Sequence, residues 1–272
     1  MKKINLFILN LTLTLRCTLK CKLCVADIAK YETPPHFSKE FLFEAMKKSF
    51  SIIDYVERFQ LSGGEPLIHK DFAEILENAL NYSSQFGFLG IFSNGTIVPD
   101  KETIEVINKF GDKSKVKFFI SHYGEHSKKV PEIENILSQN NINYEVKIYH
   151  GENQHFDGWV DYGNYEKQNY NEEELVSLFN DCAANRIGGI WSCRYGEIHR
   201  CTRSASGTDL GAIPKIKGDY IDLFADISDN EQKEMLRLLI NKPYITACSY
   251  CTGNFGTNDV TKRFPAAEQI RE

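Results

Sequence analysis

The stretch Cys17-Thr18-Leu19-Lys20-Cys21-Lys22-Leu23-Cys24 directly follows a strand predicted over residues 4–15. Three thiolates in one short loop can bind three irons of a 4Fe–4S cluster, which leaves the fourth iron open to an exchangeable ligand. Arg16, Lys20 and Lys22 favour the deprotonated thiolates that such binding requires. A structural zinc ion is the alternative, but it normally takes a fourth close ligand, and the loop contains no His, Asp or fourth Cys.

The first 150 residues alternate strand and helix patterns. The predicted strands cover residues 4–15, 56–61, 87–92, 115–121 and 143–149, and the predicted helices cover 38–50, 70–82, 100–110 and 131–140. Ser38 and Asp100 are candidate helix N-caps, and Gly111 is a candidate helix end. Repeated strand–helix units predict parallel strands with crossover helices, and five such strands favour a partial or full barrel over a flat sheet.

The pattern changes after residue 150. Residues 151–170 are polar and aromatic and indicate a loop, which could serve as a lid or simply pack. A helix is predicted over 171–181, a hairpin from strands 187–192 and 197–202 around Gly196, and a helix over 228–240. We place a boundary between residues 150 and 180. The final segment, 263–269, has no assigned role.

Composition excludes several classes of protein. The 272 residues carry a formal net charge of −5 without a dominant basic patch, which argues against nucleic acid as a partner. No apolar run approaches the roughly 20 residues that span a bilayer, so no membrane partner is expected. The apolar N-terminus lacks a small-residue cleavage site and is interpreted as a strand rather than a signal peptide. We therefore expect a cytoplasmic protein.

The eight cysteines fall into two groups. The first group is Cys17, Cys21 and Cys24, and the second is Cys182, Cys193, Cys201, Cys248 and Cys251. Disulfides are rare in a reducing compartment, so clustering of this kind points to metal sites.

The C-x-x-x-C-x-x-C pattern after the first strand resembles the signature of the radical S-adenosylmethionine (radical SAM) superfamily. The resemblance implies that Cys17, Cys21 and Cys24 bind a 4Fe–4S cluster whose open iron chelates the methionine part of SAM. Reductive cleavage then gives a 5′-deoxyadenosyl radical, which removes a hydrogen atom from the substrate. Leu23 departs from the family, where an aromatic residue often lies at this position near the adenine.

Three further places resemble SAM-binding positions of that family. Ser62-Gly63-Gly64-Glu65-Pro66 is similar to the G-G-E-P motif, which contacts the methionine amino group. Ser93-Asn94-Gly95 and Ser121 follow the third and fourth strands, where the family binds the ribose and carboxylate. The implied cofactor-binding residues are Gly63, Gly64, Glu65, Pro66, Ser93, Asn94 and Ser121. Ordinary turn chemistry is the alternative for the Asn-Gly pair.

The second cysteine group resembles the auxiliary-cluster region of SPASM and twitch radical SAM enzymes. The layout Cys182…Gly196…Cys201…Cys248-x-x-Cys251 matches the shorter twitch arrangement with one additional 4Fe–4S cluster. Cys193 is left over, and a structural zinc site is the alternative for the other four. The expected fold is α/β: a partial TIM-type barrel of about five to six parallel strands over 1–170, and a small twitch-like subdomain over 171–272.

Among twitch enzymes, the layout is similar to that of the aminocyclitol dehydrogenase of the butirosin pathway. This likeness implies oxidation of a small polar, sugar-like substrate, with the auxiliary cluster as electron acceptor and a flavodoxin- or ferredoxin-type reductant. Peptide modification, as in sulfatase maturation, and dehydration or epimerisation of a sugar are the enzymatic alternatives. An iron–sulfur electron carrier or zinc scaffold is the non-enzymatic alternative, which the G-G-E-P motif disfavours.

The catalytic residues stay open. Active sites of such barrels gather at the carboxyl ends of the strands. The weak candidates are His122, Tyr123, Lys147, His150 and Arg194, with Arg203 as a further anion-binding or cluster-tuning candidate. A solvated polar side chain is the competing interpretation for each of them.

Overall fold

The computed structural model describes residues 3–155, 159–186, 188–253 and 263–270. Its strands are Asn5–Thr14 (β1), Tyr55–Gly63 (β2), Phe86–Ser93 (β3), Val116–His122 (β4), Asn143–Ile148 (β5), Ile190–Arg194 (β6), Glu197–His199 (β7) and Tyr220–Asp222 (β8). Its helices are Lys39–Ile52 (α1), Phe72–Leu80 (α2), Lys101–Phe110 (α3), Val130–Gln139 (α4), Glu172–Asp181 (α5), Ala183–Arg186 (α6), Thr202–Asp209 (α7) and Asp229–Ile240 (α8). The strands and helices predicted for the first 150 residues are all present in the predicted order.

The described strands form one sheet in the order β5-β4-β3-β2-β1-β6-β7-β8. The neighbouring strands from β5 through β1 to β6 are all parallel. The pairs β6–β7 and β7–β8 are antiparallel. The α/β fold class with six parallel strands in the described part is thereby confirmed. β1 lies inside this sheet and is buried along most of its length, as expected for a strand covered on both faces.

The hairpin around Gly196 forms, but with shifted strands. The predicted strand 187–192 begins only at Ile190, because Gly188 and Gly189 both have positive φ; residue 187 lies outside the described residues. The strand then pairs in parallel with β1, with Leu11 opposite Cys193. The parallel sheet therefore continues across the boundary that the sequence pattern suggested, and the division into 1–170 and 171–272 stays a prediction.

The second strand of the hairpin is shorter than predicted. Residues 200–202 were expected to extend it, but β7 ends at His199. Cys201 is instead the N-cap of α7, and its thiol accepts a hydrogen bond from the Ser204 backbone N–H at 3.4 Å. α6, α7 and β8 were not predicted, and each is only three to eight residues long.

Local capping explains where the core helices begin and end. The Ser38 hydroxyl accepts from the Phe41 N–H at 3.3 Å, and the Asp100 carboxylate accepts from the Thr103 N–H at 2.8 Å. Gly111 ends α3 with φ of +84°. The capping residues predicted from the sequence therefore cap these helices. None of the helices in the described residues is both long and apolar enough to cross a membrane.

Candidate active site

The first cysteine loop lies against the end of β2. It leaves β1 after Thr14, and two backbone hydrogen bonds join it to the next strand. Gly64 N–H donates to the Thr14 carbonyl at 2.7 Å, and Glu65 N–H donates to the Arg16 carbonyl at 3.0 Å. The glycine-rich turn after β2 therefore fixes the start of the loop that carries Cys17.

The two glycines are required by this backbone contact. A Cβ atom on Gly63 would lie 2.0 Å from the Thr14 carbonyl oxygen, and φ at Gly63 is +152°. A Cβ atom on Gly64 would lie 2.2 Å from the Arg16 oxygen and 2.9 Å from Cys17 Cβ. The sequence pattern suggested that glycine lets the backbone approach a ligand. The close neighbour in the structure is the cysteine loop itself.

Glu65 connects the ends of β2 and β3. Its side chain is fully buried and accepts hydrogen bonds from Asn94 N–H at 2.7 Å, Leu67 N–H at 3.2 Å and the Ser93 hydroxyl at 3.2 Å. Burial raises the pKa of Glu65 to about 7, although these hydrogen bonds act in the opposite direction. The carboxyl group thus holds Asn94 in place.

Asn94 in turn contacts the first cysteine loop. Its side-chain amide donates to the Cys17 sulfur at 3.5 Å and to the Thr18 hydroxyl at 3.0 Å. Burial raises the pKa of the thiols of Cys17 and Cys24, and that of Cys21 to about 12. Metal binding at these thiols would therefore release protons.

A cavity of about 490 Å³ opens beside this loop. Its lining includes the three cysteines of the first group, Cys17, Cys21 and Cys24. It also includes residues at the positions that resemble the family's SAM-binding sites: Ser62, Gly63, Gly64, Ser93, Asn94 and Ser121. Cys182, Cys201 and Cys251 line it as well. Glu65 and Pro66 are buried behind this wall. The volume is in the range of small-molecule sites.

The second cysteine group surrounds a smaller cavity of about 50 Å³. Cys182 ends α5, Cys201 begins α7, and Cys248 and Cys251 lie in and after the short helical turn Thr246–Tyr250. All four line this cavity. Burial raises the pKa of Cys248 to about 12 and that of Cys201 further.

Cys193 is placed elsewhere. It lies on β6, is 0% exposed and belongs to the main apolar core, where its thiol contacts the side chain of Ser49. Its surroundings are those of a small buried apolar residue.

The donor sets fit iron–sulfur clusters. Three thiols border the larger cavity from one loop, and four thiols enclose the smaller one. Within residues 3–155, 159–186, 188–253 and 263–270, no group of three or more His, Cys, Asp or Glu side chains has the arrangement of a single-ion site. The thiols of Cys17, Cys21 and Cys24 line one cavity, and those of Cys182, Cys201, Cys248 and Cys251 line the other. In a 4Fe–4S cluster each thiolate binds a different iron.

The five weak catalytic candidates are dispersed. Tyr123 lines the main cavity, and burial raises the pKa of its hydroxyl, which keeps it protonated. The ring centres of His122 and His150 lie 4.6 Å apart in a separate cleft at the end of β4. Lys147 lies on β5 and is not in the described lining of the main cavity. Arg194 is buried and lies 3.8 Å from Asp209.

Arg203 has a role that sequence analysis did not identify. Its guanidinium lies 3.6 Å from the Asp27 carboxylate, 3.3 Å from the centre of the Tyr165 ring, and 2.7 Å from the Gly163 carbonyl. Asp27 lies three residues after Cys24, and Arg203 lies two residues after Cys201. This ion pair therefore ties the two cysteine loops together, and the short spacing from each cysteine was the available signal.

The final segment, unassigned from the sequence, also reaches the site. Cys21 pairs with Gln269 in an isolated antiparallel bridge, and the Gln269 amide lies 3.4 Å from the Cys21 sulfur. Nothing in its sequence marks this segment as part of a metal site.

Residues 11–125 match the family model of the Radical SAM superfamily. The chain therefore contains a segment that matches the radical SAM domain, and this match implies SAM and a 4Fe–4S cluster as cofactors.

Two curated relatives resemble part of the chain. A S-adenosylmethionine-dependent nucleotide dehydratase from Selenomonas ruminantium is 31% identical over 90 residues, 33% of this chain and 30% of that protein. A GTP 3′,8-cyclase from Campylobacter jejuni subsp. doylei is 32% identical over 101 residues, 36% of this chain and 30% of that protein. The chain thus spans about a third of the length of the curated relatives that it matches.

Solved structures resemble the chain over nearly its whole length. BtrN in complex with AdoMet and 2-DOIA has a TM-score of 0.53 and 15% identity, covering 93% of this chain and 95% of that one. Native anSMEcpe with bound AdoMet has a TM-score of 0.53 and 13% identity, covering 90% of this chain and 82% of that one. At this identity, the likeness shows a shared fold.

Proposed function

We propose that this protein is a radical SAM oxidoreductase that oxidises a small polar, sugar-like molecule and uses an auxiliary 4Fe–4S cluster as the electron acceptor. One observation carries the proposal. A single cavity is lined by the three cysteines of the first group and by three of the four cysteines proposed for the second. A substrate in this cavity would lie between the two cofactor sites.

The protein's own residues have separate roles in this proposal. Cys17, Cys21 and Cys24 hold the first cluster, and Cys182, Cys201, Cys248 and Cys251 hold the second. Ser62–Gly64, Ser93, Asn94 and Ser121 line the part of the cavity proposed for SAM. When bound, these cofactors supply a radical that removes a hydrogen atom from a carbinol carbon, and an acceptor for the electron left after the hydroxyl proton departs.

The remaining walls favour an uncharged polar substrate. Asn10 and Gln60 supply amide groups, and Tyr149, Trp159 and Tyr162 supply aromatic surface. In the described lining, the charged side chain is that of Arg203, which Asp27 already neutralises. Tyr123 is held protonated by burial and so serves as a hydrogen-bond donor rather than a base.

Dehydration is the second candidate, because one curated relative is a nucleotide dehydratase. The matched 90 residues cover 33% of this chain and 30% of that protein, so the likeness extends over only part of either. The retention of a complete second thiol group favours oxidation. Product mass separates the two reactions: oxidation removes two hydrogens, whereas dehydration removes one water.

The test is anaerobic incubation with SAM, dithionite or reduced flavodoxin, and a panel of sugars and aminocyclitols. We expect 5′-deoxyadenosine from the wild-type protein and none from the Cys17→Ala/Cys21→Ala/Cys24→Ala variant. The matched control is Cys193→Ala, which removes a cysteine that lies outside both proposed sites. Reductive SAM cleavage by the triple variant would overturn the assignment.

A further inference from the structure

The last described residues, 263–270, form a short segment that lies against the first cysteine loop; we call it the C-terminal strap. Two backbone hydrogen bonds hold it there: Lys22 N–H donates to the Glu268 carbonyl at 2.8 Å, and Ile270 N–H donates to the Lys20 carbonyl at 2.9 Å. Lys22 and Glu268 also form an exposed ion pair at 3.7 Å. The strap therefore pairs with the loop as a strand would.

The other end of the strap is fixed to the loop that follows β5. Phe264 N–H donates to the Trp159 carbonyl, and Ala266 N–H donates to the Gln154 carbonyl, both at 2.8 Å. The strap thus spans from the aromatic wall of the main cavity to the cysteine loop.

The middle of the strap covers the cysteine loop with an apolar surface. Ala267 is 1% exposed and packs in one cluster with Leu19 and Cys21, with Cys17 and Cys24 at its edge. Ala267 has φ of +54°, which is uncommon for a residue with a side chain. The buried methyl group shields this part of the cysteine loop from water.

The orientation of the Gln269 amide follows from its neighbours. Its oxygen accepts the Lys20 backbone N–H at 2.8 Å, so its nitrogen must face the other way. That nitrogen donates to the Ala267 carbonyl at 2.6 Å and to the Cys21 sulfur at 3.4 Å. A side chain 248 residues away in the sequence therefore supplies a hydrogen-bond donor to a proposed cluster ligand.

We propose that the strap is a built part of the first cluster site and that Gln269 is a positioning residue that raises the reduction potential of that cluster. The proposal rests on the proposed function, which places a cluster on Cys21. Reduction adds negative charge to the cluster and its thiolates, and a donor to sulfur stabilises that charge. Asn94 supplies a corresponding donor to Cys17 at 3.5 Å.

The test is a redox titration of the anaerobically reconstituted full chain, followed by low-temperature EPR with and without SAM. The signal that changes on SAM addition reports the first cluster. In Gln269→Glu, the oxygen for the Lys20 N–H is kept and the donor is lost. We expect the ratio of reduced to oxidised first cluster at a fixed potential to fall at least about fivefold, the effect of one net hydrogen bond. For a one-electron couple this is about 40 mV towards negative values.

Two further variants separate the donor from general disruption. Gln269→Leu removes both polar groups at similar size and should shift the potential in the same direction. Glu105→Gln removes an exposed ion pair with Lys101 on α3, outside the strap and the described cavity lining, and should leave the first-cluster potential unchanged. The potential of the second cluster should be the same in all variants.

Unchanged first-cluster potentials in both Gln269 variants would overturn the proposal, as would equal shifts of both clusters. Loss of the first cluster from Gln269→Leu, with the second retained, would support the strap as part of the site. A wild-type protein without any SAM-responsive signal would instead contradict the proposed function.

Discussion

Gly64→Ala tests how the turn after β2 supports the first cysteine loop. The new Cβ would lie 2.2 Å from the Arg16 carbonyl oxygen, and an ordinary contact distance of 3.4 Å requires a shift of about 1.2 Å. The neighbour is backbone, and Cys17 Cβ at 2.9 Å blocks the adjacent direction. We expect a loss of about 1–3 kcal/mol in unfolding free energy. Since the displaced loop carries Cys17, SAM cleavage should fall by roughly 100-fold, as for a misplacement of about 1 Å.

Gly111→Ala is the matched control. Gly111 has a positive φ of +84°, and nothing lies within 4 Å of the added Cβ. This variant should lose roughly 1–2 kcal/mol from backbone strain and keep wild-type SAM cleavage. Anaerobic denaturant unfolding, iron content and 5′-deoxyadenosine yield are measured for both. A Gly64→Ala protein with full iron and wild-type yield would refute the reasoning, because the loop would then tolerate the displacement.

Three further predictions concern buried groups. Glu65 has a raised pKa of about 7 against an ordinary 4.5, so the folded state binds the extra proton and stability falls as pH rises through this window. As the pH rises from 4.5 to 7, the free energy of unfolding of the metal-free wild type should fall by about 3 kcal/mol more than that of Glu65→Gln. Denaturant unfolding measures both. Asp27→Asn leaves the Arg203 charge buried without this partner and should lower the free energy of unfolding by about 3 kcal/mol. The double variant Asp27→Asn/Arg203→Met should recover part of this loss in thermal or denaturant unfolding. Cys193→Ala should cost about 1 kcal/mol and keep all iron, whereas Cys182→Ala should lose the second cluster.

Each of these predictions has a contradicting outcome. Parallel pH profiles for the wild type and Glu65→Gln would show that Glu65 titrates normally. A double variant as unstable as the sum of its parts would remove the coupling between Asp27 and Arg203. Iron loss in Cys193→Ala with retention in Cys182→Ala would exchange these two residues in the proposed ligand set.

The first four strands of the parallel core could be predicted because each is followed by an amphipathic helix. Ser38, Asp100 and Gly111 mark helix ends by local chemistry that does not depend on the rest of the chain. The hairpin strand was predicted to begin at residue 187, but β6 begins at Ile190 because Gly188 and Gly189 have positive φ. Its parallel pairing with β1 was not predicted. The pairing of Leu11 with Cys193 depends on tertiary packing, which a local pattern does not contain.

The cysteine groups could be found because metal ligands must be of particular types at short spacing. The residues that support these cysteines could not be found from the sequence. Asp27 and Arg203 meet across 176 residues, and Gln269 meets Cys21 across 248. Both contacts form only when the chain is folded. Asp, Arg and Gln are all common on protein surfaces, so their residue types gave no signal. The same limit applies to the catalytic candidates, of which Tyr123 lines the described cavity while His122 and His150 face a separate cleft.

We propose that Cys17, Cys21 and Cys24 hold one 4Fe–4S cluster and that Cys182, Cys201, Cys248 and Cys251 hold another. Iron and acid-labile sulfide are measured after anaerobic reconstitution of the wild type, of Cys17→Ala/Cys21→Ala/Cys24→Ala, and of Cys248→Ala/Cys251→Ala. We expect about eight irons and eight sulfides per wild-type chain, and about four of each in either variant. About four irons in the wild type, with zinc retained by the second group in a protein that still cleaves SAM, would contradict it.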